Sequence, residues 1–504
     1  MKYTAISIGP IIKTLAMARK PRELWAASYL FSYLMKCIYT AAEDAEAKII
    51  SPAKLTEEKY EVGIYPDRIY IKNECNVKEI IKNAKDYFYN TLIAESILKE
   101  KKDLDLKKKF FNYFNIMTAC CEKEKEKESE AIAELNRKLD VMELWNFATA
   151  DSNADQIIYN IISKKKNELL YKLATGKDEF PFETIEDIAK AQIGKDAKIK
   201  YSHHKYFCIV QADGDNVGKT VSHKDLEDDE VLKISEALVE FGIEASKRIK
   251  RFGGVPIYAG GDDLLFIAPV IGIGGANIFE LIKDIEDEDF KGVHDEVSEL
   301  KDNKGNHLKD EDGNKIEASL SFGISISYYK HPLYEALATA RKQLFNVAKE
   351  IKNKNKDVKE KKAVAWTLRK HSGGTFSASF SRNNNDLQEK FKDLITKTTD
   401  EATVSAVAHK IRQFESLIYI VLKSEQESNE KKRLNALFKN VLHASDEKKS
   451  YFDAVKALMP IVFEIVKEKE NSPEKEKEKE NFTKTLYCLL RTAKFIKGEE
   501  LRNE

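Results

Sequence analysis

A chain of 504 residues exceeds one ordinary hydrophobic core, so about two to four domains are expected. Its 42% hydrophobic and 33% charged residues describe a globular protein with a Lys- and Glu-rich surface, and the formal net charge of +0 removes any whole-molecule field that would gather nucleic acid. No run approaches the roughly 18 apolar residues that cross a bilayer, and the start, MKYTAISIGPIIKTLAMARK, lacks a secretion signal; a cytoplasmic protein with no membrane partner is expected.

The first elements predicted are a strand from Tyr3 to Ile8 and a helix from about Pro21 to Thr40. EVGIY and RIYIK, rich in β-branched and aromatic residues, then read as a hairpin turning at Pro66-Asp67, followed by a helix from about Val77 to Leu98. This β-α-β-β-α order is that of a ferredoxin-like half or a polymerase palm. Residues 105–200 read as mostly helical, and the run EKEKEKESE at 122–130 as a solvated helix or mobile loop.

A second β-α-β-β pattern begins at Tyr206. YFCIVQAD is a continuous apolar run ending in an acid, as in a buried central strand that delivers a carboxylate to the sheet edge. Ile234, Leu238, Phe241, Ala245 and Ile249 recur at three and four, giving a helix with one apolar face. VPIY and LLFIAP flank Gly260-Gly261-Asp262-Asp263 as a hairpin, and SLSFGISIS alternates as a further strand, with Leu320, Phe322, Ile324 and Ile326 on one side. A helix from Leu333 to Asn353 and a last strand in KAVAWTLRKHSGG close this unit. Residues 376–504 have helical periodicity and almost no strand signal, with a disordered loop expected at 467–481. The predicted class is therefore α+β: a first palm-like, non-catalytic domain (1–104), a helical insert (105–200), a catalytic palm (201–375) and a helical C-terminal domain (376–504).

The chemistry follows from the acids. Phosphoryl transfer from a nucleoside triphosphate needs charge neutralisation and in-line positioning, which two divalent cations about 4 Å apart supply. Asp213 at the end of a central strand, with Asp262 and Asp263 on the adjacent hairpin turn, offers the carboxylate oxygens that Mg²⁺ or Mn²⁺ prefers. Gly260 and Gly261 permit the tight turn and close approach of substrate. A lone GGDD is equally a plain β-turn; its pairing with ADGDNVGK upstream favours the site. There the amides of Gly214, Asp215 and Asn216 are expected to cradle ATP phosphates. Lys219 and Lys349 are candidates for phosphate neutralisation, each also readable as a surface lysine.

Other motifs carry less. Gly272 to Gly275 lacks the spacing of a phosphate loop and reads as a loop into a helix. His203-His204 has no partner at metal-ligand spacing. The six cysteines are scattered with no CxxC pair, so no zinc site is expected.

SIGPIIKTLAMARKPRELWAASYLFS, FPFETIEDIA, ADGDNVGK, YAGGDDLLFIAP, SFGISISYYKHPLYEALATARKQL and WTLRKHSGG, in this order, resemble the large polymerase/cyclase subunit of type III-B CRISPR effectors, the Cmr complex. The resemblance implies an enzyme that condenses ATP into a second messenger for antiviral defence once guide RNA has paired with target RNA, in a ribonucleoprotein with other subunits. It places Asp213, Asp262 and Asp263 as metal ligands, Lys349 as the lysine late in the palm, and Ser372-Gly373 as a closing nucleotide contact. Larger members begin with a nuclease domain; here the palm-like unit begins within the first ten residues, so DNA cleavage is not expected.

Small members that resemble this chain join AMP to S-adenosylmethionine instead of making cyclic oligoadenylate. Either product arises when a ribose 3′-hydroxyl attacks the α-phosphate of ATP. Asp67, on the first palm's counterpart turn, reads both as a turn aspartate before Arg68 and as the group that binds the acceptor's ribose or its amino or sulfonium cation. The competing readings are a non-catalytic scaffold with a relic palm and a free-standing diguanylate-type cyclase.

Overall fold

The computed structural model describes all residues except 56–60, 73–74, 99–103, 124–127, 145–151, 164–165, 224–225, 227, 303, 310–312, 352–361, 384, 424–426, 442–445, 470–474 and 499–504. The first sheet comprises β1 (Lys2–Gly9), β2 (Lys48–Ser51), β3 (Arg68–Lys72) and β4 (Asn115–Glu122), ordered β2-β3-β1-β4 with every pair antiparallel. With the helices Pro21–Asp44 and Val77–Ala94 this completes a β-α-β-β-α-β ferredoxin-like unit.

Three expectations change here. A short helix, Ile11–Ala16, precedes the long one. β4 lies in the stretch predicted as helical from 105; NIMTACCE has weak alternation, and its strand character comes from pairing with β1 along its whole length, from Lys2↔Glu122 to Gly9↔Asn115. The charged run at 122–130 is not uniformly solvated either, since Glu128 is buried and its carboxylate accepts from Lys72 Nζ at 2.7 Å; residues 124–127 lie outside the described residues.

EVGIY is also not the hairpin partner of RIYIK, a place taken by β2. It threads instead between the Pro21–Asp44 helix and the second sheet. Trp25 Nε1–H donates to Glu61 O (3.0 Å) and Tyr65 N–H donates to Ser32 Oγ (2.9 Å), while Gly63 bridges to Tyr258 with Ala259 N–H donating to Gly63 O (2.9 Å). A segment whose Val62, Ile64 and Tyr65 read as a strand is thus used as a seam between two units.

The second sheet comprises β5 (Tyr206–Asp215), β6 (Val255–Gly260), β7 (Asp263–Pro269), β8 (Ser319–Tyr328), β9 (Ala363–Arg369) and β10 (Thr375–Ser381), ordered β10-β9-β8-β5-β7-β6. Only β8 and β9 run parallel. β5 is central and its apolar residues are buried on both faces, as its unbroken hydrophobic run requires. β9 is not the last strand: β10 follows, across the boundary expected at 375.

One face of this sheet, with Val210, Phe266, Phe322 and Trp366, packs on the helix Asp228–Phe252 and on the C-terminal helices. The other, with Phe207, Ile209, Ile257 and Ile267, packs on the Pro21–Asp44 helix of the first unit and on the helix Leu333–Asn346. The Pro21–Asp44 helix is consequently buried almost all round, Leu24, Trp25, Ala26, Leu30, Phe31, Leu34 and Ile38 included.

The alternation of β8 has a different meaning from the one expected. Its small residues, Ser321, Gly323, Ser325 and Ser327, are buried too, because the Leu333–Asn346 helix lies directly on them. A Cβ on Gly323 would sit 2.3 Å from Ala340 O and Leu344 N. That helix ends at Asn346, before the predicted Asn353; a 3₁₀ turn, Ala348–Glu350, follows. The remainder forms helices Asn385–Lys397, Glu401–Gln413, Glu415–Leu422, Glu427–Asn440, Lys449–Lys469 and Lys475–Lys497. The last two replace most of the loop expected at 467–481, whose residues 470–474 lie outside the described residues. Among the described residues no helix is long and apolar enough to cross a membrane.

Two outcomes test this packing. Gly323→Ala is expected to lower folding stability by about 1–3 kcal/mol, because its methyl meets backbone and not a movable side chain; an unchanged denaturant midpoint contradicts the close approach. His203, at the foot of the C-terminal helix, is buried, and burial together with His204 pushes its imidazole down to about 4. Because the folded value is depressed, its contribution to stability is complete above the unfolded value near 6.5 and is lost as pH falls toward 4. The pH dependence of the melting temperature in that window should flatten in His203→Gln.

Candidate functional site

The acids are assembled by register. β5 pairs with β7 up to Ala212↔Leu264 and with β8 through Asp213↔Ser321, so Asp213 emerges beside the β6–β7 turn. Gly260↔Asp263 closes that turn around Gly261 and Asp262, with Gly261 at φ +64°. A positive φ at the first central position is the hairpin geometry in which glycine is the natural residue. Gly214 N–H donates to Asp262 O (3.1 Å), and a Cβ on Gly214 would lie 2.6 Å from Asp262 Cβ and Oδ2. The Asp262 carboxylate therefore rests over Gly214, one residue from Asp213.

Alternation along the strands sends Asp213 and Asp215 to the face of β5 that carries Ile209, and Asp263 to the face of β7 that carries Ile267. This is the face turned toward the first palm. Between the palms lies a cavity of about 250 Å³. Its wall is apolar, from Ile8, Leu15, Phe31 and Phe345, with Asp67 on one side and Asp263 and Arg341 on the other. Asp67 arrives there because its carbonyl accepts from Ile8 N–H (3.0 Å) at the end of the threaded 61–67 segment.

Crowding these carboxylates out of water suppresses their ionisation. Burial raises the Asp262 carboxyl to about 6, with Asp67 and Asp215 adding to the effect against its own backbone hydrogen bond. Asp263 is raised well above the carboxylate range by burial, then by Asp262 and Asp67, with Arg341 opposing. Asp67 is raised by burial as well, against Arg68 and with Glu143. Such a set gains from an added cation, and its donors are the hard oxygens that Mg²⁺ or Mn²⁺ takes. Among the described residues no three His, Cys, Asp or Glu side chains already converge as a cage. Asp213 is instead ion-paired with Lys349, whose ammonium stands where a cation is needed. Asp213, Asp262 and Asp263 thus offer the donor chemistry a divalent ion takes, without forming a closed cage among the described residues.

The other predicted residues divide. Lys349 is brought in by the 3₁₀ turn: its Nζ pairs with Asp213, lies 3.2 Å from Asp215 Oδ1 and donates to Gly214 O at 2.9 Å. The amide cradle is corrected at Gly214, whose N–H is spent on Asp262 O. Asp215 is buried, and its Oδ2 accepts from Ser319 Oγ (3.1 Å), Ser321 Oγ (2.7 Å) and Lys362 N–H (2.9 Å), which makes it a brace for the floor of the site. Asn216 adopts φ +67° and its Nδ2 donates to Glu317 O (2.9 Å). Lys219 is exposed on the short helix Val217–Val221.

Ser372 is not brought to the site. Because β9 runs parallel to β8, the β9–β10 turn that carries Ser372 and Gly373 lies at the opposite end of the sheet, where His371 N–H donates to Tyr206 Oη (2.9 Å) at the start of β5. Sequence reasoning missed Arg341 and Tyr258. In the single helix read from Leu333 to Asn353, Arg341 would fall about two turns before Lys349 on the same face, a spacing that would have flagged it. Tyr258 lines the cavity beneath the GGDD turn, and nothing in VPIY distinguishes it from a core tyrosine.

Residues 206–357 match the family described as Cas10/Cmr2, second palm domain, and residues 3–140 match CRISPR-associated protein Cmr2, N-terminal. The CRISPR system Cmr subunit Cmr2 of Pyrococcus furiosus is 31% identical over 197 residues, 34% of this chain and 19% of that protein, so the matched part is a small share of its length. Among solved structures, the type III-B Cmr-beta complex in the apo state has a chain with TM-score 0.54 and 12% identity, covering 89% of this chain and 78% of that one. The Csm1-Csm4 cassette in complex with pppApA has one with TM-score 0.50 and 11% identity, covering 97% and 69%. Two matched domains in the right order on two ferredoxin-like units, with a GGDD turn in the second, lead to one assignment: the chain belongs to the Cas10/Cmr2 family of CRISPR-associated proteins.

Proposed function

We propose that the cleft between the palms catalyses nucleotidyl transfer from ATP to the 3′-hydroxyl of a second nucleoside, making a second messenger within an RNA-guided type III complex. The observation that carries the reading is Asp263 of the GGDD turn facing Asp67 across one cavity, with Asp213 emerging from the neighbouring strand beside that turn. A bond forms between the acceptor 3′-oxygen and the α-phosphorus of ATP, the α–β phosphoanhydride bond breaks, pyrophosphate leaves and the hydroxyl proton passes to solvent. Asp213, Asp262 and Asp263 would hold a divalent cation, which would supply charge neutralisation for the phosphates. Lys349, already within reach of Asp213 and Gly214 O, adds positive charge on the same side.

The cavity wall favours one acceptor over another. Among the described lining residues the cation is Arg341, while Asp67 and Asp263 are acids and most of the rest are apolar. A 5′-triphosphate would meet little there to offset its charge. S-adenosylmethionine has the 3′-hydroxyl, and its cationic groups suit the Asp67 carboxylate and an apolar wall. The reaction then stops after one transfer, giving an AMP–S-adenosylmethionine conjugate; cyclic oligoadenylate is the product if ATP also occupies the acceptor half. The partners follow from the relatives: a solved type III-B Cmr-beta complex is bound to cognate target RNA, and we assign this chain to a comparable ribonucleoprotein with other subunits, guide RNA and target RNA.

In the target-bound complex, Asp262→Ala with Asp263→Ala should lower Mg²⁺-dependent pyrophosphate release from ATP by at least about 100-fold, the scale on which removing charge stabilisation acts. Undiminished release from an assembled double mutant sinks the assignment.

A further inference from the structure

Lys349 is placed too deliberately for a surface lysine. The Leu333–Asn346 helix is broken at Val347 (φ −127°, ψ −63°), and the 3₁₀ turn that follows carries the Lys349 side chain, 18% exposed, back under the end of β5. There it meets Asp213, Asp215 Oδ1 (3.2 Å) and Gly214 O (2.9 Å). The two acids are not equivalent. Asp215 is fully enclosed, and its other oxygen is fixed by Ser319, Ser321 and the Lys362 amide. Asp213, 26% exposed, has the freedom to change partner.

Resting on the metal-site reading above, we propose that Lys349 is a resident counter-cation, which neutralises Asp213 in the metal-free protein and is displaced from it by the divalent ion. Asp215 and Gly214 O keep hold of the ammonium during the exchange, so the movement is short and leaves the lysine beside the incoming phosphates. Metal entry and lysine placement become one event. Before loading, the acid cluster is partly neutralised; after loading, the same charge serves the substrate. The pairing also lowers the apparent affinity for metal in proportion to the fraction of molecules in which Asp213 is occupied.

Mn²⁺ titration of the purified full chain, read by the electron paramagnetic resonance of free Mn²⁺, tests this without turnover. Lys349→Met should bind Mn²⁺ about tenfold more tightly than wild type, corresponding to Asp213 being occupied about nine-tenths of the time, while Lys349→Arg should remain near wild type. Unchanged or weaker binding by folded Lys349→Met, with binding lost in Asp213→Asn, overturns the counter-cation role and leaves the metal site standing. Binding undiminished in Asp213→Asn overturns the metal-site reading and this proposal with it.

Discussion

The Pro21–Asp44 helix is the element on which both halves of the molecule close. An isolated ferredoxin-like unit leaves one side of each helix in water, yet this helix is apolar nearly all round and can be satisfied only by a second sheet. The second palm supplies that sheet through Ile209, Ile257 and Ile267. Sharing a helix fixes the distance and angle between the palms more firmly than a linker would. It also fixes the cavity, since Ser28, Phe31 and Ser32 of the same helix line it. Tyr65 N–H on Ser32 Oγ and Gly63 against Tyr258 then set where Asp67 stands relative to Asp263.

A second constraint acts across the sheet. The small residues of β8 let the Leu333–Asn346 helix approach to backbone contact, and the helix in turn carries Arg341 to the cavity and leads to Lys349 at the acids. Packing density and electrostatics are thus coupled: a bulkier β8 would push away the two cations that moderate Asp213 and Asp263. Beneath them a buried layer of Asp215, Ser321, Glu286 and Arg382 keeps the floor rigid. Arg382 Nη2–H donates to Leu320 O (2.7 Å) and pairs with Glu286, so the start of the C-terminal domain is tied to the strand that supports the acids.

Much of this was legible in the sequence where a local pattern had one physical solution. YFCIVQAD could only be a central strand, and GGDD between VPIY and LLFIAP could only be its neighbouring hairpin. EVGIY failed because strand propensity says that a segment wants an extended, half-buried setting, not which partner provides it. β4 and β10 failed for a related reason: β4 alternates weakly and β10 is mostly Ser and Thr, and long-range pairing with β1 and β9 overrides both. Ser372 was misplaced because the end of the sheet at which a turn lies depends on whether β9 runs parallel or antiparallel to β8, a topological fact absent from the residues themselves. Asp215 looked like a loop residue near phosphate and is a buried brace; its partners Ser319 and Ser321 come from a strand a hundred residues away.

The central claim is that one cleft has a donor half at Asp213, Asp262 and Asp263 and an acceptor half at Asp67. The direct measurement is mass spectrometry of the products formed by the target-RNA-bound complex with Mg²⁺, ATP and S-adenosylmethionine, comparing wild type with Asp67→Asn. The account predicts an AMP–S-adenosylmethionine conjugate from wild type and its loss from Asp67→Asn, with ATP binding retained. The same products in the same amounts from both would contradict it.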